Sequence, residues 1–166
     1  MQNVKLEAGS TLLSHSLWCG QQAINDNACV DLILAALLHD IGHLLLAGDA
    51  ELSSFERDCE HAEEGAKWLS AWFPQAATEP IRLHVQAKRY LFTFDSVYQT
   101  SLTGSSRASM QSQGGAMNES EVMAFEANRF HADAIRLRRY DDTPWEGKEL
   151  PDFSVFKPYF DSSCKE

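Results

Sequence analysis

The chain has 166 residues, 44% of them hydrophobic, enough for one globular domain with a real core. A formal net charge of -10 argues against a nucleic-acid binder, which needs a basic face to displace counterions. No apolar run approaches the roughly 20 residues of a membrane helix, Met1 to Ser10 lacks the apolar core of a signal peptide, and Cys19, Cys29, Cys59 and Cys164 form no C-x-x-C pair, so a cytoplasmic protein without disulfides is expected.

The run from Leu12 to about Asn25 has helical spacing, with Leu13, Leu17 and Trp18 on one side and His15 within it. Asn25-Asp26-Asn27 reads as a turn. The next helix is apolar from Leu32 to Leu38 and delivers His39 and Asp40 at its end. A carboxylate at that depth is costly unless it is paired or binds a metal. His43 stands one helical turn after His39, with Gly42 between them weakening the helix. Gly48 to Ser54 reads as a loop. Glu56 to Phe73 is amphipathic and carries His61 among acids, where alone it would pass for a surface residue. Thr78-Glu79-Pro80 reads as a helix opening with proline in the first turn. The helix that follows reaches Phe92 and carries His84 and Lys88 on one face. A metal ligand one turn from a lysine suits a metal-bound substrate of negative charge. Residues 101–115 are rich in hydroxyl, amide and glycine. They read as a surface loop or, more sharply, as a lid offering Ser, Gln and backbone amides to an anion. Asn118 opens a helix over Glu119 to Asn128, and another covers Phe130 to Tyr140. Phe153, Phe156, Tyr159 and Phe160 are expected to fold the proline-marked tail back onto the body. With no strand-like run and no repeat, the expectation is a single all-α domain over 1–166 with about six helices.

His15, His39, Asp40, His61, His84 and one Asp of the Asp141-Asp142 pair come from different helices, the adjacent His39 and Asp40 apart. A helical bundle builds a metal site in this way, from inward-facing side chains. Imidazole nitrogen and carboxylate oxygen together hold zinc, iron or manganese. Six ligands exceed what one catalytic metal takes while keeping an open position. They suit two metals and a bridging carboxylate, for which Asp40 is central in the series. The basic residues Arg82, Lys88, Arg89, Arg136, Arg138 and Arg139 are expected to be mostly solvated or paired with carboxylates.

The series H…HD…H…H…D, with LLHDIGH at its heart, resembles the HD-domain superfamily. The segments EHAEEGAKWL, EPIRLHVQAKRYL, SQGGAM and FEANRFHADAIRLRRYDD, with the aromatic tail, resemble the PhnZ branch. These are mixed-valent diiron oxygenases that cleave organophosphonates, and myo-inositol oxygenase is a more distant relative. The resemblance runs from His15 onward and implies an HD-domain helical bundle. It implies one iron held by His15, His39, Asp40 and Asp141 and a second by His61 and His84, with Asp40 bridging. Asp141 is preferred to Asp142 because it stands three residues after Arg138, as in the family motif. The resemblance further implies that Lys88 and Arg138 grip phosphonate oxygens, that His43 lies beside the substrate, and that Ser109 and Gln113 contact the anion. The implied reaction consumes O2 and converts a 1-hydroxyphosphonate to phosphate and a carboxylic acid. One departure concerns the substrate. Branch members acting on aminated substrates carry a tyrosine and a glutamate before the first histidine, whereas Lys5-Leu6-Glu7-Ala8 stands here, with no tyrosine before His15.

Three other activities compete. A metal-dependent phosphohydrolase would use the same ligands, with Lys88 and Arg138 on a phosphate. A non-catalytic HD module would be expected to have lost ligands, and none is lost. A thiol enzyme using Cys59 near His61 lacks an activating third group.

Overall fold

Thr11 opens the first helix: its hydroxyl accepts the Ser14 amide at 3.1 Å, satisfying one of the donors that a helix start leaves free. The computed structural model describes residues 11–47, 54–145 and 147–163, the side chains of 54–59 and 105 excepted. Its helices are α1 (Leu12–Asn25), α2 (Val30–Leu38), α3 (Gly42–Leu46), α4 (Ser54–Leu69), α5 (Gln75–Phe94), α6 (Ser96–Ser101), α7 (Gly104–Ser112), α8 (Glu119–Ala127), α9 (His131–Asp141) and α10 (Lys157–Ser163). A 3-10 turn, Phe153–Phe156, precedes α10. No strand occurs among the described residues. The expected long helices are α1, α2, α4, α5, α8 and α9, and the segments added between them are short. Lys5 to Ala8, the Gly48–Ser53 part of the expected loop, the Cys59 thiol and Cys164 lie outside the described residues and side chains.

The fold is arranged around α2. Six successive residues, Leu32 to Leu37, are buried on every side, as befits a central helix. Helices α1, α5, α9 and α10 pack against it. Asn27, at φ 51°, turns the chain out of α1, in the left-handed region that asparagine tolerates better than most residues. At the far end, α2 does not run on to His43. Hydrogen bonds from Ile41 N to Leu38 O and from His43 N to Asp40 O tighten the chain to an elbow before α3 begins at Gly42. His39 and Asp40 sit in that elbow.

Gly42 serves packing. A Cβ there would lie 1.9 Å from the His61 carbonyl oxygen, so α3 and α4 cross closer than any side chain would allow. Gly65 faces the same crossing, with Gly42 N 3.1 Å from where its own Cβ would be. This places His61, near the middle of α4, beside the elbow. The tail docks in the same manner, with Phe156 fully buried in the space that Gly20 leaves open on α1. Tyr159 and Phe160 pack on that core, while Phe153 stays 45% exposed.

Two expectations are corrected. Helix α5 starts at Gln75 after Pro74, so Pro80 lies inside the helix rather than in its first turn. Ala76, Ala77, Thr78 and Glu79 tolerate helix well enough to extend it backwards past the proline. Most of 101–115 is helix α7, because Thr103 caps it by accepting the Ser106 amide at 3.2 Å. Gly114 and Gly115 follow at φ 108° and 68° and end it.

Candidate metal centre and anion pocket

Each histidine of the predicted set reaches the centre from its own helix or elbow, and all four are buried: His15 from α1, His39 from the elbow, His61 from α4 and His84 from α5. Asp40 is buried beside them, and Asp141 joins from the last residue of α9. The His61 side chain is thus not on the surface, despite its acidic neighbours in sequence.

The donors fall into two groups, each with ligand atoms within 4.8 Å of one another. One is His15, Cys19, His39 and Asp141; the other is Asp40, His61 and His84. In the first, His15 Nε2 lies 3.3 Å from His39 Nε2 and 3.0 Å from Asp141 Oδ1. In the second, His61 Nε2 and His84 Nε2 are 3.0 Å apart. Asp40 joins the two. Its Oδ2 is 3.6 Å from His15 Nε2, and its Oδ1 is 3.3 Å from His39, 3.6 Å from His61 and 3.9 Å from His84.

These donors fit cations on chemical grounds. His39 Nδ1 faces the Ala36 carbonyl at 3.0 Å and His84 Nδ1 faces the Ile81 carbonyl at 2.7 Å. A carbonyl only accepts, so each Nδ1 carries the proton, and a neutral ring then turns its Nε2 lone pair inward. Four Nε2 atoms and two carboxylates converge on one buried space, a set of donors that could hold metal ions. Without a cation the same electrostatics hold protons there. Burial lowers the His39 pKa, but Asp40 and Asp141 outweigh it and raise it to about 9. Burial also opposes protonation of His15, and Cys19 and Asp141 overcome it. His84 is held below the ordinary range, chiefly by burial and then by His61 and His39. Burial would raise both carboxylates, yet His39 holds Asp40 down and Arg138 holds Asp141 down.

A cavity of about 130 Å³ adjoins the cluster. It is lined by Asp40, His43, His61, His84, Val85, Lys88, Ser109, Gln113, Arg138 and Asp141. Every predicted substrate residue is therefore brought to it. Lys88, only 4% exposed, donates to Ser109 Oγ at 3.1 Å and Gln113 Oε1 at 3.3 Å. His43 stacks on His61 with ring centroids 4.0 Å apart, and its Nε2 is 4.0 Å from Asp40 Oδ1. Arg138 is buried and gripped by two carboxylates: Nη1 meets Asp141 Oδ2 at 2.5 Å, and Nε and Nη2 meet Asp142. The other four basic residues of the two clusters seen in the sequence are paired away from the cavity, Arg82 with Glu79, Arg89 with Glu121, Arg136 with Asp26 and Arg139 with Asp95.

Three neighbours escaped sequence reasoning. Cys19 stands one turn beyond His15, and that spacing was the available signal. Asp142 figured only as a rival ligand to Asp141. Tyr98 carries no sequence signal, since it belongs to the six-residue helix α6.

Helices around a buried histidine and aspartate cluster at an HD elbow define an HD-like helical bundle whose core could hold a metal. No family model matches the chain. It is 40% identical over 158 residues to the hydroxymethylphosphonate dioxygenase of Gimesia maris, covering 94% of this chain and 78% of that protein. It is 34% identical over 149 residues to the 1-hydroxy-2-(trimethylamino)ethylphosphonate dioxygenase (glycine-betaine-forming) of Leisingera caerulea, covering 89% and 76%. The chain belongs to the PhnZ-like family of phosphonate dioxygenases within the HD-domain superfamily.

Proposed function

We propose that this chain is an O2-dependent oxygenase that cleaves the C–P bond of a small 1-hydroxyphosphonate, using two iron ions in mixed valence. The observation that carries the reading is a cavity in which metal-type donors and anion-type donors meet: Asp40, His61, His84 and Asp141 line it together with Lys88, Ser109, Gln113 and Arg138. The similarity to two phosphonate dioxygenases favours oxygenation over the phosphohydrolase alternative. His15, His39, Asp40 and Asp141 would hold one iron, and His61, His84 and the shared Asp40 the other. The pair would supply the redox equivalents and open positions that dioxygen chemistry needs.

The chain's own residues bind and orient. Lys88 supplies a compact charge and Arg138 a planar fork to phosphonate oxygens, so the dianion is neutralised where it sits. Ser109 and Gln113, already on the Lys88 ammonium, complete the anion's hydrogen bonds. His43, beside Asp40, is placed to hold the proton of the substrate hydroxyl. With hydroxymethylphosphonate, one C–P and one C–H bond break. The carbon gives four electrons to O2, and the products are formate and phosphate. A space of about 130 Å³ suits this one-carbon substrate. Among the described lining residues there is no aromatic ring besides imidazole to receive a trimethylammonium group.

The test measures phosphate from the iron-loaded protein with hydroxymethylphosphonate, in air and in the absence of oxygen. One phosphate per O2 consumed, and none without O2, is expected. Phosphate release that ignores oxygen would overturn the reading.

A further inference from the structure

Arg138 has five N–H directions, and three are taken. Its Nε donates to Asp142 Oδ2 at 2.7 Å, Nη2 to Asp142 Oδ1, and Nη1 reaches Asp141 Oδ2 at 2.5 Å. Asp142 thus grips the Nε–Nη2 edge of the guanidinium in a fork, leaving one N–H on each Nη for the cavity that Arg138 lines. The Tyr98 hydroxyl locks the fork. It donates to Asp142 Oδ2 at 2.6 Å and accepts from Arg138 Nε at 3.2 Å. Tyr98 is 5% exposed and lines neither the metal cluster nor the cavity.

The short helix that carries Tyr98 is itself pinned. Asp95 caps α6 by accepting the Tyr98 amide at 2.9 Å, and it holds Arg139 Nη2 at 3.1 Å. The side chain of Gln99 donates to the Phe92 carbonyl at 2.6 Å, and Arg107 donates to the Gln99 carbonyl at 2.8 Å. Helix α6 is therefore tied to α5, α7 and α9. A six-residue helix fixed on three sides delivers one buried phenol to one guanidinium.

We propose that Tyr98 and Asp142 are positioning residues that aim Arg138, the phosphonate anchor proposed above, and thereby set affinity for the anionic group without touching metal or substrate. An arginine left to swing would lose rotamer freedom on each binding event, whereas a clamped one has lost it already. Arg138 held in this fork also keeps Nη1 on Asp141, so one guanidinium serves the metal ligand and the anion together.

The experiment compares wild type, Tyr98→Phe and Asp142→Asn, all iron-loaded. Tyr98→Phe keeps the ring and removes only the hydroxyl. Its KM for hydroxymethylphosphonate and its Kd for methylphosphonate, by calorimetry, are expected to rise about 3- to 10-fold, with kcat changed less than twofold and iron content equal to wild type. Asp142→Asn keeps the shape and loses the charge, and its Kd is expected to rise further, by about 10-fold or more. A merely structural role would lower the melting temperature of both variants and leave the methylphosphonate Kd alone, and that result overturns the proposal. Wild type that binds no phosphonate overturns the phosphonate function and this role with it. Wild type that binds while Tyr98→Phe and Asp142→Asn bind equally well overturns the role alone.

Discussion

Two carbonyls decide which atoms of two histidines point into the site. Ala36 O and Ile81 O occupy the Nδ1 positions of His39 and His84, so Nε2 is left for a metal. The spacing of His39 and Asp40 was readable from the sequence, but the carbonyl partners were not, because they depend on how α2 and α5 end or run at that point. The electrostatics give a pH dependence. In a chain stripped of metal, His39 keeps its proton up to about pH 9, because Asp40 and Asp141 overcome burial. Its folded value lies above the ordinary 6.5. Its contribution to the stability of the stripped chain is thus complete below pH 6.5 and is lost as pH rises through about 9. A metal must displace that proton. Iron loading between pH 7 and 8.5 should release protons, measured by calorimetry in buffers of different ionisation enthalpy, with the release fading above pH 9. A release independent of pH across that window would contradict the assignment. Lys88 supports a second expectation. Lys88→Ala should raise KM for hydroxymethylphosphonate about 10- to 100-fold, the usual worth of a charge-assisted hydrogen bond, while both irons stay bound. Full affinity in that variant would remove Lys88 from the anion pocket.

At the scale of elements, the site depends on close approach between helices. The crossing of α3 and α4 carries His61 to the elbow, and it exists because Gly42 has no side chain. Gly42→Ala would drive a methyl group into the His61 carbonyl, and α4 must shift to admit it. The expected loss is about 1–3 kcal/mol of stability, as for overpacked cores. It should come with weakened binding at His61 and His84 more than at His15 and His39, read from iron content against melting temperature. An unaltered iron count in a fully stable variant would show that the crossing has slack. From the sequence, Gly42 spoke only as a helix breaker; its packing role needs the partner helix and was hidden. Helix α7 was hidden for a related reason. Gly104-Ser105-Ser106 has loop composition, and the cap from Thr103 becomes a signal only once the helix is formed. The opening of α8 at Asn118 was legible, and the structure adds Glu121, whose side chain returns to the Asn118 amide to complete a capping box.

Over the whole molecule, α1, the elbow after α2, α4, α5 and α9 each contribute donors to one centre. The order of candidate ligands along the chain was legible because histidine and aspartate in apolar helices have few other uses. That two ions would share Asp40 was inferred from the number of candidate ligands, and their division between the two came from the family resemblance; in the structure Asp40 Oδ1 lies 3.3 to 3.9 Å from three of the histidines. The acidic surface implied by a net charge of -10 leaves Lys88 and Arg138 as the cations lining the cavity among the described residues. In the proposed function this cluster holds two iron ions through one shared carboxylate. Elemental analysis of protein from iron-supplemented cells, paired with electron paramagnetic resonance, tests it most directly. Two irons per chain with a mixed-valent signal, both lost together in Asp40→Ala, is the predicted result. A single redox-inert ion, or two irons retained after Asp40→Ala, would contradict it.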